Sequence, residues 1–179
     1  MSNMNDDTSE LEFAPEDDTT TSTPSPFVRQ KWKVLIVDDE PAIHDITRIA
    51  LQNVEFDGRY IEFLHAHSGE EARRLLVEYP DTAVALVDVV METEHAGLDL
   101  VRHIREEVGN HLIRIILRTG QPGQAPERSV IRDYDINDYK EKTELTAQKL
   151  FSTVYTSLRS YRDLAAIDRH FDLGMIHQS

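Results

Sequence analysis

Short runs of apolar residues, each bounded by polar or turn-forming residues, recur along the chain. Four of them are strand candidates, namely KVLIVD (33–38), which is a continuous apolar run, YIEFLHA (60–66), AVALVD (83–88) and LIRIIL (112–117). Runs of this length are typical of parallel strands that helices cover on both faces. A fifth and weaker strand candidate lies at about 136–139.

Segments with helical spacing of apolar residues separate these runs. The first begins at Pro41 and predicts an inward face of Ile43, Ile46, Ala50 and Val54. Strand and helix alternate five times along the chain. This alternation predicts an α/β domain with a parallel sheet, and right-handed crossovers then place helices on both faces of it.

The later helices have their own signals. Ser68 can cap the second helix, and Glu71, three residues on, completes a capping box. The spacing of apolar residues in the third helix predicts a buried face of Leu98, Val101, Ile104 and Val108. The opposite, solvated face is expected to carry Arg102, Arg105 and Glu106. A short helix is expected near 126–133, and a long one from near Thr143.

The ends of the chain differ from its middle. Residues 1–30 are rich in acids, Ser, Thr and Pro, and such a segment buries too little apolar surface to become ordered. We predict a disordered acidic tail over 1–30, with a partner-binding segment around Leu11 and Phe13 as the alternative. The folded domain is expected over 31–160. The last helix outruns the sheet, so 161–179 is interpreted as an extension or linker.

Composition narrows the function classes. The 179 residues include 19 Lys and Arg against 33 Asp and Glu, which gives a formal net charge of −14. This balance argues against nucleic-acid binding as the main activity. The chain has no cysteine, which excludes disulfides, thiolate catalysis and cysteine-held metals. No apolar run approaches the roughly 18 residues of a membrane helix, and we expect a cytoplasmic protein.

Polar residues stand at the carboxyl ends of the predicted strands, where ligands of parallel sheets bind. They are Asp38, Asp39 and Glu40 after the first strand, Asp88 after the third, Thr119 at the fourth and Lys142 after the fifth. Carboxylates that converge in one crevice repel each other, and a hard cation such as Mg²⁺ relieves this repulsion. Asp88 is then a candidate nucleophile for a phosphoryl group whose charge Mg²⁺ and Lys142 would neutralise.

Each of these residues alone also fits a structural role. The Asp38-Asp39 pair could cap the first helix, and Asp88 and Thr119 could be turn residues. Lys142 could be a solvated lysine. The evidence for a site therefore lies in the set as a whole, at successive strand ends.

Four motifs in this order and spacing, VLIVDDEP, ALVDVVM, ILRTG and NDYKEKT, resemble the receiver domain of two-component response regulators. The resemblance covers about residues 33–160. It implies a flavodoxin-like, doubly wound five-stranded parallel sheet of strand order 2-1-3-4-5, with helices on both faces and here an extended C-terminal helix. It also implies a non-enzymatic domain that catalyses only its own phosphorylation and dephosphorylation.

The resemblance also implies roles for individual residues. They are Asp88 as phosphoacceptor, Asp38, Asp39, Asp88 and the Val90 carbonyl as Mg²⁺ ligands, Lys142 as the site lysine, and Thr119 and Tyr139 as the switch pair. Lys142 fits better than Lys140, because the family aromatic precedes the lysine by three positions. The sequence departs from the family after Asp88, where METEHAG lacks a proline and carries one extra residue before Gly97.

More narrowly, the stretch from RTGQPGQAPE through the last helix resembles receivers that precede a DUF3369 domain and often an HD-GYP cyclic-di-GMP phosphodiesterase. The implied partners are a sensor histidine kinase and an output domain outside these 179 residues. A homodimer through the face formed by helix 4, strand 5 and helix 5, or through the C-terminal helix, is a further expectation.

Two other function classes stay open. An aspartyl-nucleophile phosphatase uses similar groups, but its general acid would fall at Val90, which cannot transfer protons. A receiver-like interaction or dimerisation module would work without phosphorylation. A zinc site at His65 and His67, which share a strand face, is disfavoured because no third ligand is evident.

Overall fold

The computed structural model describes residues 30–120, 127–144 and 146–176. Its strands are β1 (Trp32–Val37), β2 (Glu55–Phe56), β3 (Arg59–Ala66), β4 (Val84–Asp88), β5 (Arg114–Thr119) and β6 (Asp138–Glu141). Its α-helices are α1 (Pro41–Leu51), α2 (Gly69–Glu78), α3 (Ala96–Arg102), α4 (Glu127–Tyr134) and α5 (Ala147–Ile176). A π-helical segment, His103–Glu107, continues α3, and a 3₁₀ turn, Lys142–Glu144, follows β6.

The strands form one sheet of order β2-β3-β1-β4-β5-β6. Five neighbouring strands of this sheet, β3, β1, β4, β5 and β6, are mutually parallel. This confirms the predicted α/β fold and the predicted order of the parallel strands. The two-residue β2 is an additional edge strand, antiparallel to β3. Asp57 and Gly58 join them with positive φ angles of 52° and 72°, so the Asp-Gly hairpin signal was present in the sequence.

Apolar side chains of the sheet alternate between two buried clusters. Val34 and Ile36 face one side, with residues of α1 and α5, whereas Leu35 and Val37 face the other, with residues of α2, α3 and α4. Alternation is the consequence of strand geometry, and burial on both faces explains the continuous apolar runs.

The predicted inward face of α1 was wrong at Ile46, whereas Val54 is buried and Ala50 packs against the core. Ile46 is 61% exposed, whereas the buried residues of α1 are His44, Thr47 and Leu51. Burial of a polar side chain requires hydrogen-bond partners, and His44 and Thr47 have them in Asp38 and Arg118. Apolar periodicity alone could not reveal a helix face that is inward because of its polar contacts.

The third helix also differs from its prediction, because α3 continues as a π-helical segment that shifts the phase of the side chains. Val108, predicted to be buried, is 57% exposed, and Arg105, predicted to be solvated, is 6% exposed. The Arg105 guanidinium donates to the carbonyls of Asp135, Asn110 and Ile113 at 2.6–2.9 Å. A single buried side chain thus ties the π-helical end of the third helix to the loops that precede β5 and β6.

The last helix spans 30 residues and, at about 1.5 Å per residue, is roughly 45 Å long. It begins at Ala147 rather than near Thr143, because a 3₁₀ turn occupies Lys142–Glu144. Leu150, Val154 and Leu158 are buried against the sheet, whereas Ile167 is 52% exposed. Within the described residues, no helix combines the length and apolar character needed to cross a membrane.

The predicted tail over 1–30 falls, apart from Gln30, outside the described residues, as do 177–179 of the predicted linker. Both of these domain boundaries stay predictions.

We expect Arg105→Met to lower the free energy of unfolding by about 2–4 kcal/mol, because it leaves the buried carbonyl of Ile113 and two part-buried carbonyls without their donor. Chemical denaturation measures this change. The control is Arg102→Met, three residues earlier on the same helix, where the side chain is half exposed and the loss should be about 0.5 kcal/mol or less. Equal losses in both variants would contradict the role assigned to Arg105.

Candidate functional site

Four carboxylates meet at the carboxyl ends of β1 and β4, which are neighbours in the sheet. Each of Asp38, Asp39, Glu40 and Asp88 offers an oxygen that lies within 4.8 Å of the oxygens of the others. Asp38 and Asp88 are buried, at 0% and 3% exposure, whereas Asp39 and Glu40 are exposed. The group therefore has a buried base and a solvent-facing rim.

Lys142, in the 3₁₀ turn after β6, reaches across the carboxylate cluster. Its Nζ lies 2.9 Å from Asp88 Oδ2, 3.1 Å from Asp38 Oδ2 and 3.0 Å from Glu40 Oε1. Lys140 instead pairs with Asp138, two residues earlier on the same face of β6. Burial opposes the charge of Lys142, but the hydrogen bonds and charges of Asp88, Glu40 and Asp38 dominate and raise its pKa above the ordinary value.

Asp38 is held by three elements of the fold. Its Oδ1 accepts a hydrogen bond from the Glu40 backbone N–H at 3.0 Å. Its backbone carbonyl accepts one from His44 Nε2 of α1 at 2.7 Å. The guanidinium of Arg118, from β5, lies 3.6 Å from its Oδ2. Arg118 was not among the predicted site residues. It lies inside an apolar run, and its charge was the only feature in the sequence that distinguished it from its neighbours.

His44 also contacts two other histidines. Its Nε2 donates to a carbonyl, so its Nδ1 accepts the hydrogen bond from His65 Nδ1 at 2.9 Å. The ring of His67 lies with its centroid 4.3 Å from that of His44. Among the described residues, the ligand atoms of these three rings do not converge as closely as the four carboxylates do.

Asp88 ends β4 in an environment that disfavours its charge. Burial is the main effect and raises its pKa, and the charge of Asp38 acts in the same direction. The hydrogen bond from Lys142 opposes this shift, as does a long contact of 3.4 Å from the Val90 N–H to Oδ1. A carboxylate in such an environment gains more than a solvated one when a cation binds beside it.

The unusual loop after β4 is accommodated by Gly97 and Glu92. A Cβ at Gly97 would lie 2.0 Å from the Asp88 carbonyl oxygen, so any larger residue would push α3 away from the site. The Glu92 carboxylate accepts a hydrogen bond from the Gly69 N–H at the start of α2, at 2.8 Å. The Glu92 carboxylate therefore binds the start of α2 and does not join the carboxylate cluster.

The predicted switch residues lie on neighbouring strands. Thr119 ends β5 and is 2% exposed. Tyr139 lies on β6, opposite Leu117 in the strand register, and is 8% exposed within the cluster under α3 and α4. Both side chains are thus inside the domain, and Thr119 is one residue past Arg118, the register partner of Asp88.

The donors at this edge suit a small, hard divalent cation. Carboxylate oxygens are the ligands that Mg²⁺ prefers, and the exposed rim leaves room for the waters that it keeps. Four carboxylates against the cations Lys142 and Arg118 leave a formal charge of −4 + 2 = −2. Among the described side chains, Asp38 Oδ2 is buried without a hydrogen-bond donor, although it lies near both cations. The residues therefore fit the cation.

The family model for the response regulator receiver domain matches residues 34–155. A curated protein of Vibrio cholerae serotype O1 (strain ATCC 39315 / El Tor Inaba N16961), the 3'3'-cGAMP-specific phosphodiesterase 2, is 56% identical over 149 residues. That alignment covers 83% of this chain but 28% of the relative, so the chain spans under a third of the relative's length. The chain belongs to the response regulator receiver domain family of two-component systems.

Solved structures agree on the fold. A response regulator receiver domain protein from Clostridium thermocellum is 25% identical, with a TM-score of 0.62 over 74% of this chain and 98% of that one. The signal receiver domain of an HD domain-containing protein from Pseudomonas fluorescens Pf-5 is 18% identical, with a TM-score of 0.61 over 75% and 99%. At that identity, the second likeness speaks for the fold alone.

We expect Asp88→Asn to raise the Tm of the metal-free protein by about 2–4 °C at pH 8, the shift that about 1 kcal/mol produces in a domain of this size. The reason is that ionised Asp88 is destabilised by burial. An acid with a raised pKa weakens the fold only above its ordinary pKa of about 4, so the gain should shrink as the pH falls toward that value. Thermal unfolding in a chelator measures it.

The control for this measurement is Asp45→Asn on α1, where the side chain is exposed. It should leave the Tm within about 1 °C of wild type at both ends of the pH range. A gain for Asp88→Asn that persisted unchanged near pH 4 would contradict the assignment to ionised Asp88.

Proposed function

We propose that this domain is a phosphorylation-dependent switch in which Asp88 accepts a phosphoryl group from a sensor histidine kinase. The observation that carries the proposal is the contact of 2.9 Å between Lys142 Nζ and buried Asp88, inside a cluster of four carboxylates. Membership in the receiver family supports the same function.

In the proposed reaction, a carboxylate oxygen of Asp88 attacks phosphorus while the bond from phosphorus to the kinase histidine breaks. The electron pair of that bond leaves with the histidine nitrogen, and the product is an acyl phosphate. Lys142 already lies within hydrogen-bond distance of Asp88 and would balance the charge of the transferred oxygens. No general acid is needed at Val90, because histidine is a good leaving group for phosphoryl transfer.

Mg²⁺ would be held by Asp38, Asp39, Asp88 and the Val90 carbonyl, and when bound it would neutralise the phosphoryl oxygens. Asp39, which is exposed, would be the direct carboxylate ligand on the solvent side. Asp38 is fully buried, and the contacts from Glu40 and His44 would keep its carboxylate in place.

The conformational response would use Thr119 and Tyr139. A phosphoryl group on Asp88 would attract the Thr119 hydroxyl, and the space between β5 and β6 would then favour an inward Tyr139. Tyr139 is buried in the described structure, so phosphorylation would stabilise an inward conformation that the unmodified chain already populates. The face formed by α4, β6 and α5 would thereby change its affinity for partners.

The output is proposed from the Vibrio relative. Because that protein is by name a 3'3'-cGAMP-specific phosphodiesterase, we propose that this receiver controls a phosphodiesterase output domain in a longer cytoplasmic regulator. The second half of α5, which is exposed over residues 167–171, would link the domain, taken as 31–160, to that output or to a second receiver.

The phosphorylation proposal predicts that acetyl phosphate and Mg²⁺ add one phosphoryl group to the full chain, detected by intact-mass spectrometry. Asp88→Asn should abolish the addition, and Lys142→Met should reduce its rate by about tenfold or more, since it removes charge stabilisation worth at least 1.4 kcal/mol in the transition state. Asp45→Asn, an exposed acid of α1, is the matched control and should be labelled like wild type.

An addition that survives Asp88→Asn would refute the assignment of the phosphoacceptor. No addition, together with partner binding or dimerisation that Asp88→Asn leaves unchanged, would instead favour an interaction module that works without phosphorylation. Turnover of a generic phosphate ester would favour the phosphatase class.

A further inference from the structure

Arg118 is a buried cation beside the carboxylate cluster that the proposed reaction does not use. It is the last residue but one of β5 and is 3% exposed. Its side chain points toward α1, where Nη1 donates to Thr47 Oγ1 at 3.1 Å. Its Nη2 lies 3.6 Å from Asp38 Oδ2.

This guanidinium is only partly satisfied. Among the described residues, Arg118 Nε and Nη2 are buried without a hydrogen-bond acceptor, and Asp38 Oδ2 is buried without a donor. The two charges therefore face each other slightly beyond hydrogen-bond distance. Burying a cation costs free energy unless a counter-charge compensates it, and Asp38 is a buried anion that lies beside Arg118.

Arg118 and a metal ion would interact with the same carboxylate. Asp38 lies between the solvent-facing acids, Asp39 and Glu40, and the buried guanidinium. A divalent cation bound by these acids would be repelled by a fixed positive charge a few ångströms away, and low solvent access strengthens that repulsion. Conversely, without a metal, Arg118 compensates a fully buried carboxylate.

We propose that Arg118 is a built-in counter-cation of Asp38 that lowers the affinity of the carboxylate cluster for Mg²⁺. Its hydrogen bond to Thr47 holds the guanidinium in the interior, so that its charge cannot turn to solvent when the metal binds. Arg118 is thus a residue that tunes the metal affinity, and it neither binds the metal nor touches the phosphoryl group. The inference rests on the metal site of the proposed function.

The test is a titration of the full chain with Mg²⁺ by isothermal calorimetry. Arg118→Met removes the charge and keeps an unbranched apolar side chain, and it should lower the Kd by about tenfold, the effect of one nearby charge at an effective dielectric between protein and water. Arg118→Gln, which can still donate to Thr47, should shift the Kd in the same direction. Arg118→Lys keeps the charge and should stay within about threefold of wild type.

Arg114→Met is the matched control. Arg114 begins the same strand at the end away from the carboxylates, and its guanidinium donates to the carbonyls of Leu112 and His111. The Arg114→Met substitution removes the same formal charge from the chain as Arg118→Met. An unchanged Kd in this variant therefore excludes a general effect of net charge. Circular dichroism of each variant shows whether it is folded.

The outcomes separate this inference from the proposed function. If wild type does not bind Mg²⁺, or if Asp39→Asn leaves the binding unchanged, the metal site of the proposed function is refuted. This inference is then refuted with it. If wild type binds Mg²⁺ and the Kd is unchanged or higher in folded Arg118→Met and Arg118→Gln, this inference alone is overturned. Arg118 would then serve only to join α1 to β5.

Discussion

The repulsion between the buried carboxylates of Asp38 and Asp88 is the constraint around which this domain is built. Parallel pairing of β1 with β4 brings the two strand ends together, and neither side chain can turn to solvent. Two such charges in the interior are unfavourable unless cations accompany them. Arg118 comes from β5, and Lys142 comes from the turn after β6. The tertiary fold itself therefore supplies the compensating charges.

This constraint explains features that hydrophobic packing alone does not. The inner face of α1 carries His44 and Thr47 because one binds the Asp38 carbonyl and the other binds Arg118. Gly97 is required because α3 begins against the Asp88 backbone. Stability and the site chemistry are therefore opposed at one edge of the sheet. The remainder of the core, which is apolar on both faces, offsets the cost.

The parts of the structure that the sequence could predict are those with a local signal. Apolar runs indicated four of the parallel strands, a weaker signal at about 136–139 indicated the fifth, and the alternation of these strands with helices indicated the fold class. The inward roles of His44 and Arg118 had no such signal, because a polar residue becomes a core residue only when a distant partner satisfies it. Arg105 was misjudged for the same reason, since the π-helical segment that turns it inward depends on carbonyls about five to thirty residues away.

The end of β5 joins the face of the sheet that carries Asp38 to the face that carries the proposed switch residues. Arg118 and Thr119 are consecutive in β5, so their side chains project to opposite faces of the sheet. One faces α1 and Asp38, and the other faces the side on which Tyr139 is buried. Because the two residues are consecutive, a backbone movement of the strand end that carries Thr119 would also carry Arg118. In the proposed switch, a movement of the strand end that brings Thr119 toward a modified Asp88 would therefore also change the charge environment of Asp38, and this would link the conformation of the switch to the affinity for the cation.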